Sequence, residues 1–363
     1  MRKKVGILFG GQSPERDVSR IAAYFIIKYM DKELYEPIPI WVDEDGVWNI
    51  VCGEIKNILD NKFEEMKKNK CDLLEDLKEM NMIFPIVFGT RFGGDGTING
   101  TLDHFNISYV GSNYITATAC MDKVSSKLYA KELGVNIAKY ILVHIKEQEK
   151  KDKILKRVHE EIGYPCVVKP VCGGSSFGVS FVNDEDELIK GLKKAFVYDE
   201  RVLIEKYIKG REVMIAIIGT KDIIISDPGE IIYQDEILDY KGKYISETTQ
   251  TIMANDLCGK LKEEVKRQAK KIYRGMNASC YARLDFFIEE GSEKIIFNEI
   301  NTMPVIAEMS IFSKLIYQTG LNYKELLNKI IEAGFEKYDL WKSVVVEIPK
   351  IDNSPKETAT KAK

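Results

Sequence analysis

The chain has 363 residues, 45% of them hydrophobic and 30% charged, a composition that is ordinary for a globular protein and excludes a largely disordered chain. The formal net charge of −3 gives no reason to expect a nucleic-acid or membrane-surface partner, and no window reaches the roughly 18 apolar residues of a membrane span. The seven scattered cysteines form no C-x-x-C pair, and no signal peptide is recognisable, so we expect a soluble, cytoplasmic protein with reduced thiols.

Residues 1–118 alternate predicted strands and helices. An apolar strand over residues 5–9 leads into a Gly-Gly turn and a helix, for which Ser13 is the expected cap and Glu15 lies in the first turn. Two further strands flank the Asp-Gly turn at residues 45–46. Because strand and helix alternate, we predict an α/β N-terminal lobe with a parallel sheet.

The rest of the chain is predicted to form a two-lobed α+β unit, with lobes over residues 119–207 and 208–340. We expect one continuous helix over "TACMDKVSSKLYAKELG" at its start, and a charged linker over residues 144–160. Residues 341–363 are polar and poor in apolar side chains, which predicts a flexible tail.

The segment "CVVKPVCGGSSFGVSFV", residues 166–182, places Lys169 and a glycine-serine loop between two apolar runs. A plain hairpin needs one or two glycines at positive φ, whereas this loop has three glycines and two serines. Glycine lets backbone N–H groups approach an anion closely, and serine adds hydroxyl donors, so such a loop can hold phosphate. Taken alone, the loop is still best interpreted as a simple hairpin.

Two segments on either side of this loop are ambiguous by themselves. Lys123 opens a predicted helix in "CMDKVSSK", where a surface lysine is the usual interpretation. Residues 201–213 read as a strand with Glu205 and Lys206, followed by a turn and Glu212, and a charged sheet edge would explain them equally well.

The segment "YARLDFFIEEGSEKIIFNEIN", residues 281–301, predicts two strands joined by a tight turn. If the hairpin is centred near Ser292, alternation along the strands places Asp285 opposite Glu299, and Arg283 opposite Asn301, with the register open by about one residue. Opposed carboxylates destabilise a sheet unless a cation compensates them, and carboxylate and amide oxygens suit Mg²⁺. We therefore predict a metal site, with a solvent-facing polar strand pair as the alternative.

The order of these segments resembles that of the ATP-grasp ligases, and among them the D-alanine–D-alanine ligase family. The matching segments extend over nearly the whole chain: "VGILFGGQSPERDVS", "GGDGTINGTLD", "YVGS", "MDK", "VVKPVCGGSSFGVS", "IEKYIKGREV", "DPGEI", "DYKGKY", "ARLDFF" and "NEINTMP". Any one of them is weak, but all in this order are specific. The resemblance implies three lobes, ATP between the second and third, and two Mg²⁺ (or Mn²⁺) ions on its phosphates. It also implies D-amino acids as small-molecule partners and is compatible with a homodimer.

The resemblance also implies a role for individual residues. Contacts to ATP are implied for Lys123, Lys169, Gly174, Ser176, Glu205, Lys206, Ile208 and Glu212, and metal binding for Asp285, Glu299 and Asn301. Catalytic roles are implied for Glu15, Ser175, Tyr244 and Arg283, and substrate contacts for Glu15, Lys243 and Ser310. The polar stretch from 232 to 250 is long enough to form a lid over the reaction.

The implied reaction joins two D-amino acids through an acyl phosphate made from ATP. D-Alanyl-D-alanine for peptidoglycan precursors is the main prediction, and Tyr244 in the lid favours an amine as the nucleophile. D-Alanyl-D-serine or another dipeptide is the first alternative. A nucleotide-binding protein without catalysis is the second.

Five positions depart from the family pattern, and all lie on the side expected to bind the amino acids. Arg16 and Phe88 stand where histidine is usual, and Gly94 replaces a glutamate. Val305 and Ala307 replace a glycine and a threonine, and valine adds bulk and restricts φ where the family uses glycine. The identity of the second amino acid therefore stays open.

Overall fold

The structure is a computed structural model that describes residues 2–72, 74–90, 93–232, 250–254, 256–257 and 259–343. Its strands are β1 (Lys3–Gly10), β2 (Tyr35–Val42), β3 (Trp48–Cys52), β4 (Lys67–Lys70), β5 (Met82–Pro85), β6 (Tyr140–His144), β7 (Cys166–Pro170), β8 (Ser180–Val182), β9 (Arg201–Lys206), β10 (Gly210–Ile218), β11 (Ile224–Ile225), β12 (Gly229–Ile232), β13 (Gln250–Met253), β14 (Tyr281–Glu289) and β15 (Ile295–Asn301). Its α-helices are α1 (Arg16–Tyr29), α2 (Ile55–Leu59), α3 (Thr97–His104), α4 (Tyr114–Met121), α5 (Lys123–Glu132), α6 (Lys151–Glu161), α7 (Glu185–Ala195), α8 (Gly259–Gly275), α9 (Ile311–Tyr317) and α10 (Tyr323–Lys342). None of the helices within these ranges is long and apolar enough to cross a membrane.

The N-terminal lobe is built on a five-stranded sheet with the order β4-β3-β2-β1-β5. Strand β1 lies inside this sheet and is buried from Val5 to Gly10, which explains its continuous apolar run. It runs parallel to β2 and β5, whereas β3 and β4 are added antiparallel at one edge. The predicted α/β lobe is confirmed, and its sheet is mixed, with a parallel centre.

The start of α1 differs from the sequence prediction. The N-cap position is occupied by Glu15, and Ser13 lies in the turn before it, where its hydroxyl accepts the Glu15 N–H at 3.2 Å. The prediction that Ser13 caps the helix is therefore wrong. Because the helix begins at Arg16, Glu15 stands at the junction between β1 and α1, at the carboxyl edge of the parallel strands.

The single helix expected at the start of the second unit is two helices, α4 and α5. They separate at Asp122, whose backbone is extended (φ −78°, ψ 106°) and whose carboxylate accepts the Ser125 N–H at 2.7 Å as the N-cap of α5. The backbone of Asp122 also forms a β-bridge with Cys172, at the entrance to the glycine-serine loop. This break places Lys123 at a helix start beside that loop.

The expected linker over residues 144–160 is also wrong in part, because it contains most of helix α6. Only Ile154 and Val158 of this helix are buried, four residues apart on one face, and the surrounding charges hid that pattern. With α7, the helix covers one face of an antiparallel sheet of order β6-β9-β7-β8. This sheet forms the central lobe.

The C-terminal lobe contains an antiparallel sheet of order β13-β12-β10-β14-β15, with β11 beside β10. Helix α8 packs on one face, and the other face shares a continuous apolar core with the N-terminal lobe. Helix α10 completes that contact, with Lys337 donating to the carbonyl oxygen of Gly111 at 2.8 Å. The helix continues to Lys342, so residues 341 and 342 of the expected tail are helical; residues 344–363 lie outside the described ranges.

Candidate active site

A cleft lies between the central sheet and the C-terminal sheet, with an empty volume of about 1050 Å³ that is open to solvent. All eight residues predicted to contact ATP line it: Lys123, Lys169, Gly174, Ser176, Glu205, Lys206, Ile208 and Glu212. Ser175 and Glu299 line it as well. The structure thus brings residues that are far apart in the sequence to one surface.

The glycine-serine loop connects β7 and β8, which pair as an antiparallel hairpin. Ser175 and Ser176 adopt left-handed backbone conformations, with φ of 50° and 58°. Such conformations cost serine on the order of 1 to 3 kcal/mol each, so the surroundings must hold them in place. Gly178, with φ of 75°, is required because a Cβ there would lie 2.7 Å from the Tyr198 ring. The hairpin is therefore shaped to present loop residues to the cleft.

Two lysines and one carboxylate form a buried ion cluster at the floor of the cleft. Glu205 lies 2.7 Å from the ammonium of Lys127 through one oxygen and pairs with the ammonium of Lys169 through the other. Lys169 also donates to the side-chain oxygen of Asn298 at 3.3 Å. Burial alone would raise the pKa of Glu205, but Lys127 and Lys169 together lower it to about 2. Burial opposes the charge of Lys169, yet Glu205 raises the pKa of Lys169 above its usual value.

An apolar wall lies beside this cluster. Ala138, Ile208 and Ile296 form a small buried group against which Phe287 packs, and three of these residues line the cleft. Lys206 and Ile208 stand at the end of β9 at this wall. A flat apolar slot next to backbone groups suits a planar heteroaromatic ring.

The hairpin of β14 and β15 has the register predicted from the sequence, with Asp285 opposite Glu299 and Arg283 opposite Asn301. Arg283 binds both oxygens of Asp285, at 2.8 and 2.7 Å. The Asn301 amide nitrogen lies 3.4 Å from Asp285 and 3.5 Å from Glu299. Lys123 lies 3.8 Å from Glu299 and donates to the carbonyl oxygen of Gly173 at 2.8 Å. The two carboxylates are therefore compensated by flanking cations.

Glu15 and Ser175 meet across two lobes. The Ser175 hydroxyl donates a short hydrogen bond to the Glu15 carboxylate. Gly174 packs closely against this carboxylate, because a Cβ on it would lie 3.3 Å from both Glu15 oxygens. The loop over the cleft is thus connected to the end of β1, where the first amino acid is expected.

The positions that depart from the family pattern lie close to that junction. Phe88 is buried, and Val305 packs against the core that the N-terminal and C-terminal lobes share. Gly94 faces Met303: a Cβ added to Gly94 would lie 3.7 Å from the Met303 sulfur. Arg16 instead points towards Glu44, at 3.2 Å, with both side chains largely exposed. This part of the site is therefore more apolar than its family pattern implies.

Ser310, expected to touch a substrate, is the N-cap of α9. Its oxygen accepts the N–H groups of Ala307 and Ser313, both at 3.3 Å, and its hydroxyl donates to the Ser313 hydroxyl at 3.1 Å. The Ser310 hydroxyl proton is thus donated within the first turn of α9. A substrate contact would have to share these bonds.

Lys243 and Tyr244 lie outside the described residues, as does the expected lid except at its ends. Those ends, Ile232 and Gln250, are antiparallel neighbours on β12 and β13. The segment between them therefore leaves and re-enters the same sheet at one point.

Two residues of the cleft with polar side chains that bond to the ion cluster were not found from the sequence: Lys127 and Asn298. Lys127 lies four positions after Lys123 on α5, so the spacing alone could have placed both on one helix face. Asn298 sits beside Glu299 on β15, and its contacts with Lys127 and Lys169 depend on tertiary structure. Nothing in its local sequence distinguishes it.

Comparison with known proteins gives one consistent result. The family models described as D-ala D-ala ligase N-terminus and D-ala D-ala ligase C-terminus match residues 4–112 and 129–332. The D-alanine–D-alanine ligase of Caldicellulosiruptor bescii is 34% identical over 94% of this chain and 97% of its own length.

Among solved structures, the VanG D-Ala:D-Ser ligase of Enterococcus faecalis has a TM-score of 0.83 at 27% identity, covering 92% of this chain and all of its own. The D-alanine–D-alanine ligase of Bacillus anthracis, solved in complex with ATP, has a TM-score of 0.71 at 28% identity and covers 95% of this chain and all of its own. The chain belongs to the D-alanine–D-alanine ligase family, with the ATP-grasp fold that its sequence predicts.

Proposed function

We propose that this protein uses ATP to join two D-amino acids through an acyl phosphate, with D-alanyl-D-alanine for peptidoglycan precursors as its product. The observation that carries the proposal is one cleft lined by two lysines, a glycine-serine loop and Glu299, whose partner across the hairpin is Asp285. The carboxylate of an amino acid is a poor acyl donor, and phosphorylation turns one of its oxygens into a good leaving group. The use of ATP assigns the reaction to the cytoplasm.

In this proposal the ion cluster and the loop bind the phosphates. Lys123 and Lys169 supply positive charge, and backbone N–H groups around Ser175 and Ser176 supply donors at the mouth of the cleft. The apolar wall around Ile208 takes the adenine ring, and Glu212 lies at the cleft wall where the ribose would follow. ATP is thus bound by charged groups at its phosphates and by apolar contact at its adenine ring.

We further propose that Asp285, Glu299 and Asn301 hold Mg²⁺, which neutralises charge on the phosphate oxygens when bound. The residue types fit, because two carboxylates stand directly opposite each other, and the Asn301 amide, whose nitrogen lies within 3.5 Å of both, also carries an oxygen that can bind a cation. Among the residues that the structure describes, no three His, Cys, Asp or Glu side chains form a metal group, so Asn301 is needed as the third ligand. Arg283 and Lys123 compensate these charges from the sides.

The chemistry then proceeds in two displacements. A carboxylate oxygen of the first amino acid bonds to the γ-phosphorus as the bond to the β,γ-bridging oxygen breaks and ADP leaves. The amine of the second amino acid attacks the acyl carbon, loses a proton, and expels phosphate. Glu15 orients the first ammonium group, and Arg283 stabilises negative charge that develops on oxygen. The loop carrying Ser175 keeps water from the acyl phosphate.

D-Alanyl-D-serine is a second candidate product. The VanG D-Ala:D-Ser ligase is among the solved structures that this chain resembles, and Phe88 and Val305 depart from the family pattern on the amino-acid side. These two residues would shape the subsite for the second amino acid. The ATP-binding side is the same for either product.

A screen of amino-acid pairs tests both candidates. With ATP and Mg²⁺, we expect ADP release and a dipeptide mass with D-alanine alone, and a weaker second product when D-serine is added. A dominant mixed product would instead assign the D-serine activity. Absence of ADP release with every D-amino acid, from a protein that is folded by circular dichroism, would overturn the proposed function. L-Alanine serves as the matched control and should give no product.

A further inference from the structure

Lys127 is a buried lysine at the floor of the cleft that has no assigned role. Its side chain is 0% exposed, and its ammonium lies 2.7 Å from a Glu205 oxygen. It also donates to the backbone carbonyl of Asn298 at 2.9 Å. The contacts join α5, β9 and β15, so this one side chain connects the central lobe to the strand that carries Glu299.

The charges at this floor can be counted. Lys127 and Lys169 are two cations, and Glu205 is one carboxylate that pairs with both, which leaves one positive charge in excess. The adjacent Lys123 and Glu299 are 3.8 Å apart and compensate each other. If Lys127 were neutral, Glu205 would cancel Lys169, and the excess charge beneath the phosphate loop would disappear.

Lys127 and Lys169 differ in their exposure to the cleft. Lys169 keeps a tenth of its side chain exposed to the cleft, whereas Lys127 is enclosed. Lys127 lines the cleft without exposed side-chain surface, so it acts on a nucleotide mainly through Glu205, whereas Lys169 can reach the nucleotide directly. Burial lowers the pKa of Lys127, and its ion pair with Glu205 opposes that effect only in part.

We propose that Lys127 is a positioning residue for nucleotide binding, which fixes and neutralises the Glu205 carboxylate so that the positive charge of Lys169 is not cancelled and can act on the phosphates of ATP. The inference rests on the proposed function, because it assumes that ATP is the ligand of the cleft. A positioning role of Lys127 differs from a merely structural role in one respect. The effect of removing Lys127 must depend on the charge at position 205.

The test is a double-mutant cycle read out by binding of Mg²⁺–ATP in calorimetry, without amino acids. Lys127→Met should weaken binding by about 10- to 100-fold, the range expected for one hydrogen-bonded charge. In the Glu205→Gln background the same substitution should change binding by less than about threefold, because no carboxylate remains to cancel Lys169. Lys131→Met, an exposed lysine on the same helix, is the control and should bind like the unmodified protein.

Each other outcome has a defined meaning. Equal weakening in both backgrounds, or no weakening in either, overturns the charge-sharing role. If Lys127→Met does not fold, the test uses the double variant Lys127→Met with Glu205→Gln, which keeps one excess positive charge. We expect this double variant to bind Mg²⁺–ATP more tightly than Lys169→Met does. Equal or weaker binding overturns the inference. Failure of the unmodified protein to bind Mg²⁺–ATP would overturn the proposed function itself, which is a separate result.

Discussion

Replacing Asp285 with asparagine is expected to lower kcat for dipeptide formation by about 10²- to 10³-fold or more, the range known for losing one group that stabilises transition-state charge. Asparagine has the same shape, so the backbone pairing with Glu299 should persist. It removes a proposed metal ligand and also one of the two oxygens that hold Arg283. Both the charge on phosphate and the placement of the guanidinium are therefore affected.

The measurement is steady-state ADP release with D-alanine, together with thermal unfolding of the variant. Asp256→Asn is the matched control, because Asp256 also pairs with an arginine, Arg211, but is largely exposed and takes no part in the proposed metal site. We expect the control to keep nearly full turnover. Turnover close to that of the unmodified protein in Asp285→Asn would refute the metal assignment.

Replacing Lys169 with methionine is expected to raise KM for ATP by about 10- to 100-fold and to leave KM for D-alanine within about twofold. Methionine keeps the length of the side chain but removes the charge at the cleft floor. Glu205 then remains paired with Lys127, so no unpaired carboxylate is left behind. The loss should appear in nucleotide binding before it appears in chemistry.

The control for this variant is Lys209→Met, an exposed lysine near the same lobe junction whose partner is Glu290. Its two KM values should match those of the unmodified protein. A Lys169→Met variant in which KM for D-alanine rises as much as KM for ATP would show that Lys169 serves another ligand.

The carboxylate hairpin is the part of the site that the sequence predicts best. Strand side chains alternate strictly, and the turn at Glu290, Gly291 and Ser292 leaves few possible registers. These two facts predict the opposition of Asp285 and Glu299 only to within one residue. The structure has it through a register shift between Asp285 and Phe286, because the Phe286–Phe297 pairing continued without a shift would place Asn298 opposite Asp285. The glycine-serine loop is similar, because its flanking apolar runs determine the hairpin of β7 and β8.

The ion cluster could not be derived in the same way. Lys127 is one of 53 basic residues, and its burial is produced by a strand about 170 positions later, through the contact with Asn298. The break at Asp122 was hidden because helix-forming residues continue on both sides of it. Tertiary contacts therefore decide which lysines bear on the cleft.

The amino-acid side is harder still to predict because its residues lie in loops and at helix starts. Ser310 reads as a polar residue near the substrate, yet its hydroxyl caps α9. Phe88 stands where the family pattern has histidine, and it is buried in the core that the N-terminal and C-terminal lobes share. The family resemblance assigns these residues to the amino-acid side of the site, but their contacts depend on tertiary packing, which sequence periodicity does not predict.

Transfer of oxygen from substrate to phosphate tests the proposed acyl phosphate most directly. D-Alanine labelled with ¹⁸O in both carboxylate oxygens is incubated with the protein, ATP and Mg²⁺, and the released phosphate is analysed by mass spectrometry. We expect one ¹⁸O in each phosphate and a D-alanyl-D-alanine product that retains the remaining label. Phosphate that carries no ¹⁸O would mean that water, and not the amino acid, attacks ATP, and would contradict the proposed reaction.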